Sequence, residues 1–283
     1  MKMENSPSLY GLIGYPVTHS LSPAMHNAAF KKLKLNAVYM LFEKSKEEFS
    51  GALTQLKLMK VAGFNVTVPY KEMVIPYVDE LDSLAKQIGA VNTVVNTRGR
   101  YIGYNTDAAG FIASLKNDLK FSPRAKNVFI IGSGGAARAI GFALAKEKAS
   151  TIVFYDVAAA KAKQLSRAIQ NAFPACRASA AESANSDALS VSDLLVNASV
   201  CGMKKNDPLP INTALLPKSM AVYDIIYNPS PTKLIKKIRA QGMRGCNGLG
   251  MLLYQGTAAF ELWTKRKAPL ATMRNALVRA SHQ

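Results

Sequence analysis

The sequence predicts an α/β chain of two domains, one of them built on a doubly wound parallel sheet, and three observations predict it. Residues 127–156 read as strand, glycine turn, helix and second strand in direct succession. Strand-like and helix-like stretches alternate along the rest of the chain, as they do where helices cover a mostly parallel sheet. At 283 residues the chain can bury two hydrophobic cores.

In the 127–156 stretch, Val128, Phe129, Ile130 and Ile131 form the short apolar run of a strand covered on both faces. The chain then turns on Gly132, Gly134 and Gly135, runs as a helix to about Lys146 and returns as a strand over 151–155. The spacing Gly132-x-Gly134-x-x-Ala137 fits the dinucleotide fingerprint, in which glycines let the backbone approach a pyrophosphate and the helix start meets its charge. Asp156 closes the second strand, where a carboxylate can accept hydrogen bonds from ribose hydroxyls.

Composition bounds the function classes. Hydrophobic residues make up 49% of the chain, and no run of eighteen apolar residues exists, so no membrane span is expected. Residues 1–6 lead into a strand without the apolar core of a secretory leader, and Cys176, Cys201 and Cys246 have neither metal nor disulfide spacing. Both features suit a reducing cytoplasm. The net charge of +18 is uneven, with 12 Lys and Arg against 9 Asp and Glu in residues 1–110 and 24 against 9 in 111–283. The cations are scattered and no nucleic-acid motif accompanies them, so a solvated basic surface is expected rather than a specific nucleic-acid partner.

In the first half, residues 9–13 read as a strand and 14–18 as a loop. Ser20-Leu21-Ser22-Pro23 opens a helix through Met25, Ala29 and Leu33. Ser22 suits an N-cap with Pro23 at the first helical position; two hydroxyls at a helix start equally make a seat for a small carboxylate. His26 reads as a packed or surface residue of this helix. Residues 36–42 read as the next strand, 45–60 as a helix and 63–69 as a third strand ended by Pro69. Ligands of open α/β sheets bind at strand ends, so Asn65, Thr67 and Lys71 are placed to act together. A helix is expected over 72–88, then a hairpin of 94–96 with 101–104, and then a helix near Asp107, which serves as its cap or as a functional carboxylate.

Eight pieces now stand in order: Ser20-Leu21-Ser22-Pro23-x-Met25-His26-Asn27, Asn65-Val66-Thr67-Val68-Pro69-x-Lys71, Gly89-Ala90-Val91-Asn92-Thr93, Gly103-x-Asn105-Thr106-Asp107-x-x-Gly110-Phe111, the glycine turn, Asn197-Ala198-Ser199, Tyr223-Asp224-Ile225-Ile226-Tyr227-Asn228-Pro229 and Gly248-Leu249-Gly250-Met251-x-x-x-Gln255. In them the chain resembles the shikimate dehydrogenase family over nearly its whole length. The resemblance implies an N-terminal α/β substrate domain of residues 1–110 and 250–283, and a Rossmann-type nucleotide domain of residues 111–249 between them. It implies that Ser20, Ser22 and Tyr227 hold the substrate carboxylate, that Asn65, Thr67, Asn92, Asp107 and Gln255 hold ring hydroxyls, and that Lys71 and Asp107 are the catalytic pair. For the cofactor it implies Gly132, Gly134, Gly135, Ala136, Asp156, Ser199, Ile225 and Gly248.

The implied reaction is reversible hydride transfer between a nicotinamide cofactor and 3-dehydroshikimate or shikimate, in a monomer or homodimer without a metal. Reducing a ring ketone needs a proton for the developing alkoxide, and an ammonium oriented by a carboxylate supplies both proton and field. The nearest alternative is a quinate/shikimate dehydrogenase working mainly in oxidation. A ligand-sensing regulator on the same fold would be expected to lack Lys71 or Asp107, and both are present.

In the second half, 158–173 reads as a helix, 193–197 as a strand, 203–209 as a polar loop and 220–224 as a strand. Ser230-Pro231-Thr232 caps a basic helix to Arg239, and helices follow over 248–263 and 270–278. Two departures from the family matter. Where relatives commonly have Asn-Arg-Thr, whose arginine receives the 2′-phosphate of NADP, this chain has Tyr155-Asp156-Val157. A carboxylate accepts from free ribose hydroxyls and repels a phosphate, so NAD is the expected cofactor and NADP the alternative, with Arg138 and Lys161 near enough in sequence to soften the contrast. Asn247 stands where an aspartate usually precedes Gly-Leu-Gly. Ser22, where quinate-preferring members tend to carry threonine, argues for shikimate, and quinate stays open as a second substrate.

Overall fold

The computed structural model describes residues 6–204 and 206–282. Residues 1–5, on which much of the expected absence of a leader rests, lie outside them. The chain divides into two compact units, Met1–Thr106 with Gln255–Gln283 and Asp107–Tyr254.

The first unit contains β1 (Ser8–Gly14), α1 (Ser22–Lys32), β2 (Ala37–Glu43), α2 (Phe49–Leu58), β3 (Gly63–Val66), β4 (Glu80–Leu81), α3 (Ser83–Ile88), β5 (Thr93–Thr97) and β6 (Arg100–Tyr104). Its sheet has the order β2-β1-β3-β5-β6-β4. β1 runs parallel to β2 and β3, and β5 runs antiparallel to β3 and β6. The expected β5–β6 hairpin forms because Arg98 and Gly99 both adopt positive φ, 55° and 90°, which matches the twist of a two-residue turn.

The helix expected over 72–88 does not form as one piece. Pro76 has no N–H to donate and its ring clashes with the preceding turn, so the segment breaks into a 3-10 turn (Ile75–Tyr77), the short β4 and α3. Asp82 caps α3, accepting the Leu84 N–H at 2.9 Å. The helix expected over 45–60 likewise shortens to α2, whose Phe49, Leu53 and Leu56 face a core shared with Ile13, Phe64, Val66, Tyr70 and Val94.

The second unit contains α4 (Asp107–Asn117), β7 (Asn127–Ile131), α5 (Gly135–Lys146), β8 (Thr151–Tyr155), α6 (Ala159–Ala172), β9 (Arg177–Ala180), α7 (Asp187–Ser190), β10 (Leu194–Asn197), β11 (Ala221–Asp224), α8 (Lys233–Ala240) and β12 (Gly245–Asn247). Its sheet has the order β12-β11-β10-β7-β8-β9, every pair parallel. Strand order reverses between β7 and β10, which makes the carboxyl ends of these two strands the switch point where such sheets take ligands. β9, α7 and β12 were not read from the sequence.

α9 (Leu249–Thr264) starts in the second unit and ends in the first, and α10 (Leu270–Ala280) follows and packs on α1. The domain limits expected at 110 and 250 fall inside α4 and α9, a few residues from the observed divisions. Within the first unit the Trp263 indole donates to the Val94 carbonyl at 2.9 Å, and Gly63 leaves room for it where a Cβ would collide. No helix among the described residues is long and apolar enough to cross a membrane.

Candidate active site

In the first unit, candidate residues gather where β1 and β3 end and the antiparallel β5 begins. The start of α1 differs from expectation: Leu21 is the N-cap, and Ser22 is the first helical residue with its side chain buried. With Ser22 inside the helix, its N–H turns back to Ser20 Oγ at 3.3 Å, so the two serines pair with each other. The loop that delivers Ser20 is tied to β2, whose Glu43 Oε2 accepts the Val17 and Thr18 N–H groups at 2.7 and 3.0 Å.

Asn65 and Asn92 are both buried in one polar network. Asn65 Oδ1 accepts the Tyr39 hydroxyl at 2.7 Å, and Asn65 Nδ2 donates to the Asn92 carbonyl at 3.1 Å and to Thr93 Oγ1 at 2.9 Å. Asn92 Oδ1 accepts the Thr106 N–H at 2.7 Å, while its Nδ2 donates to Thr106 Oγ1 at 2.9 Å and Gln255 Oε1 at 3.3 Å. Such a network is costly unless every member is satisfied, and it fixes the groups it contains. Gln255, distant in sequence, is thereby joined to Asn92. Thr67 is half-buried with its N–H on the Ile13 carbonyl at 3.0 Å. Lys71 is half-buried, and its carbonyl accepts the Val91 N–H at 2.7 Å, which ties the strand end to the segment that carries Asn92.

Asp107, expected in the substrate domain, is the first residue of α4 and belongs to the second unit, as does Tyr227. Its carboxylate therefore sits in a first helical turn, which favours negative charge.

The glycine turn between β7 and α5 fits a dinucleotide. Gly132 has φ 103° and donates its N–H to the Tyr155 carbonyl at 2.7 Å; a Cβ there would come within 2.8 Å of the Ala198 carbonyl group. At Gly134, the N-cap of α5, a Cβ would meet nothing within 4 Å, so its face is open to an approaching group. Gly135 and Ala136 form the first turn of α5, with Ala137 fully buried under the helix. Between the glycines, Ser133 Oγ is buried and has no hydrogen-bond partner among the described residues. An orphaned hydroxyl, an open glycine face and the free N–H groups of a helix start are the donor set a pyrophosphate requires. Asp156 Oδ1 accepts the Ala158 N–H at 2.9 Å, and its second oxygen has no partner among the described residues.

The loops after β10 and β11 are held by one buried carboxylate. Asp224 accepts from Asn197 Nδ2 at 2.9 Å, Thr232 Oγ1 at 2.7 Å and the Ile226 N–H at 3.2 Å. Burial pushes its carboxyl above the usual range, and these hydrogen bonds oppose that rise. Ser199 Oγ donates to Asn197 Oδ1 at 2.7 Å, and the Ile225 N–H donates to the Asn197 carbonyl at 3.0 Å. Gly248 lies against the backbone of Ile225, where a Cβ would collide. Ser199, Ile225 and Gly248 are thus brought together by Asn197 and Asp224.

Asn247 also finds its account. Its Nδ2 donates to Ser230 Oγ at 2.9 Å while Oδ1 faces the Leu249 N–H at 3.4 Å. An aspartate could take both places with the first bond reversed, accepting the Ser230 O–H, so what Asn247 changes is the direction of that bond and the charge beside it.

Sequence reasoning missed Tyr39, Glu43, Thr93, Thr106, Ser133 and Asp224 as site residues. The one sequence signal for Ser133 is its place inside the glycine turn, and for Thr106 its place before Asp107. Burial pushes the Cys176 thiol up to about 11 and the Cys246 thiol up to about 12, and it raises the half-buried Cys201 as well.

The geometry supports binding of a small hydroxylated molecule at the buried amides and of a dinucleotide at the glycine turn. A family model described as the shikimate dehydrogenase substrate binding domain matches residues 12–94, and one described as the shikimate 5'-dehydrogenase C-terminal domain matches residues 248–278. A relative from Caldanaerobacter subterraneus subsp. tengcongensis, named shikimate dehydrogenase (NADP(+)), is 43% identical over 269 residues, covering 93% of this chain and 94% of its own. The crystal structure of shikimate dehydrogenase from Aquifex aeolicus superposes with a TM-score of 0.88 at 39% identity, over 98% of this chain and 99% of that one. Shikimate 5-dehydrogenase from Listeria monocytogenes, solved with shikimate and NAD, superposes with a TM-score of 0.84 at 34% identity over 96% of each chain.

Proposed function

The chain belongs to the shikimate dehydrogenase family, an NAD(P)-dependent oxidoreductase family, and on that footing we propose that it interconverts shikimate and 3-dehydroshikimate with NAD in preference to NADP, using Lys71 and Asp107 as its catalytic pair. The observation that carries the substrate side is the buried amide set of Asn65, Asn92 and Gln255, held by Thr93 and Thr106 in one arrangement. A rigid set of buried amides discriminates strongly between hydroxyl patterns, because a ligand that leaves one unpaired loses a full hydrogen bond.

When bound, the nicotinamide cofactor takes up or supplies the hydride. Ser20, Ser22 and Tyr227 hold the substrate carboxylate, and Asn65, Thr67, Asn92 and Gln255 read the ring hydroxyls. Lys71 gives its Nζ proton to the ring oxygen as the ketone is reduced, and takes it back in the reverse direction. Asp107 complements the ammonium, orienting it and balancing its charge.

The cofactor preference rests on Asp156. The name of the Caldanaerobacter relative argues by kinship for NADP, whereas a carboxylate following β8 favours free ribose hydroxyls. Repulsion between that carboxylate and a 2′-phosphate at ~5 Å in a water-like medium is about 1 to 2 kcal/mol, roughly tenfold in affinity. We assign the protein to the cytoplasm on the chemistry of its three free thiols.

Steady-state rates for shikimate and quinate, each with NAD and NADP, test the proposal. The expected result is kcat/KM for shikimate above quinate and roughly tenfold higher with NAD than with NADP. Higher efficiency with NADP would refute the cofactor reading, and higher efficiency with quinate would transfer the assignment to the alternative substrate.

A further inference from the structure

We infer that Tyr39 is a positioning residue for Asn65, held to that task by His26 and Asn27 of α1; the inference rests on the proposed role of Asn65 as a reader of a ring hydroxyl. Tyr39 lies on β2 and is 2% exposed, so its hydroxyl must find a partner inside the protein or forfeit its hydration. That partner is Asn65 Oδ1, at 2.7 Å. The two Nδ2 hydrogens of Asn65 go to the Asn92 carbonyl and Thr93 Oγ1. Both donors are therefore used inside the protein, and what Asn65 retains for a ligand is the second lone pair of Oδ1. Turning the amide over would set Oδ1 against the Asn92 carbonyl, acceptor to acceptor. Asn65 is thus confined to accepting from a hydroxyl, in a direction set by the Tyr39 O–H.

Tyr39 in turn has little freedom. Asn27 clamps its backbone from both sides, Nδ2 donating to the Tyr39 carbonyl at 3.1 Å and Oδ1 accepting the Tyr39 N–H at 2.8 Å. The His26 imidazole stacks on the Tyr39 ring, centroids 4.5 Å apart and planes 13° from parallel. His26 is fully buried and neither ring nitrogen has a hydrogen-bond partner among the described residues, so the imidazole serves here as a flat plate. Ser22 begins the same helix that carries His26 and Asn27. The proposed carboxylate seat and the proposed hydroxyl reader are therefore set on one frame within the first unit, α1 to Tyr39 to Asn65. Such a frame selects ligands by the separation between a carboxylate and a ring hydroxyl.

A double-mutant cycle of Tyr39→Phe and Asn65→Ala, read in the KM values for shikimate and for NAD, tests this. Phe keeps the stack and removes only the hydroxyl. Y39F is expected to raise KM for shikimate about 3- to 10-fold, the worth of one hydrogen bond, and to leave KM for NAD at the parental value. In the N65A background the same change is expected to alter KM for shikimate by less than about twofold, because its target is gone. An equal effect of Y39F with and without Asn65, or an equal rise in both KM values, would overturn the inference alone. A parental shikimate KM in N65A would instead overturn the role of Asn65, and this inference with it.

Discussion

His26 illustrates how a single side chain can set a property of the whole protein without touching chemistry. Enclosed by Tyr39, Phe30 and Trp263, it loses its hydration on folding, and burial holds its imidazole down from 6.5 to about 3. Between those two values the unfolded chain binds a proton that the folded chain does not, so stability falls as pH falls through that window. Between pH 7 and pH 5 the loss attributable to this residue is about 2 kcal/mol. Urea titrations at the two pH values check it: H26F should flatten the slope by about that amount, whatever its absolute stability, and a slope equal to the parent's would contradict the assignment. None of this is legible locally, because His26 on its helix is compatible with packing or exposure alike. Its environment is created by β2 and α9, whose approach is tertiary. Tyr39 was hidden for the same reason, since nothing local to 36–42 reveals that its hydroxyl ends on Asn65.

At the scale of elements, legibility followed how much of an element's stability is local. β7, the glycine turn, α5 and β8 were readable within a residue or so, because an apolar strand, glycines required by φ and close approach, and a helix of strong formers agree with one another. β9 and β12 were not readable: Arg-Ala-Ser-Ala and Gly-Cys-Asn have no apolar run, and they become strands only because β8 and β11 offer an open edge. The 72–88 segment failed where helical spacing was weighed above Pro76. Among candidate site residues, those in compact strings such as Asn105-Thr106-Asp107 were legible as strings, while their partners across the fold were not. The loops after β10 and β11 give the element-scale prediction. Asp224→Ala removes the acceptor of the Thr232 hydroxyl, of one Asn197 Nδ2 hydrogen and of the Ile226 N–H in a buried setting, so it should cost about 2 to 4 kcal/mol in stability. Urea unfolding of D224A measures this, and a loss below about 1 kcal/mol would show that the carboxylate does not hold these loops.

For the molecule as a whole, two sheets of different character divide the labour proposed for them. The mixed sheet of the first unit ends in buried amides and hydroxyls, and the all-parallel sheet of the second ends in a glycine turn and a carboxylate. The chain passes between the units at Thr106–Asp107 and Tyr254–Gln255, so Asp107 and Gln255 are each the first residue after a junction. The excess of cations, +18 in all, adds a general attraction for ligands that are themselves anions, which is screened at physiological salt. The proposed chemistry turns on Lys71 as proton donor. The most direct test is steady-state shikimate oxidation by this chain with Lys71→Ala beside the parent. The account predicts a loss of about 10² to 10⁴ in kcat with KM for shikimate within a few-fold of parental. A K71A chain that turns over at the parental rate would contradict it.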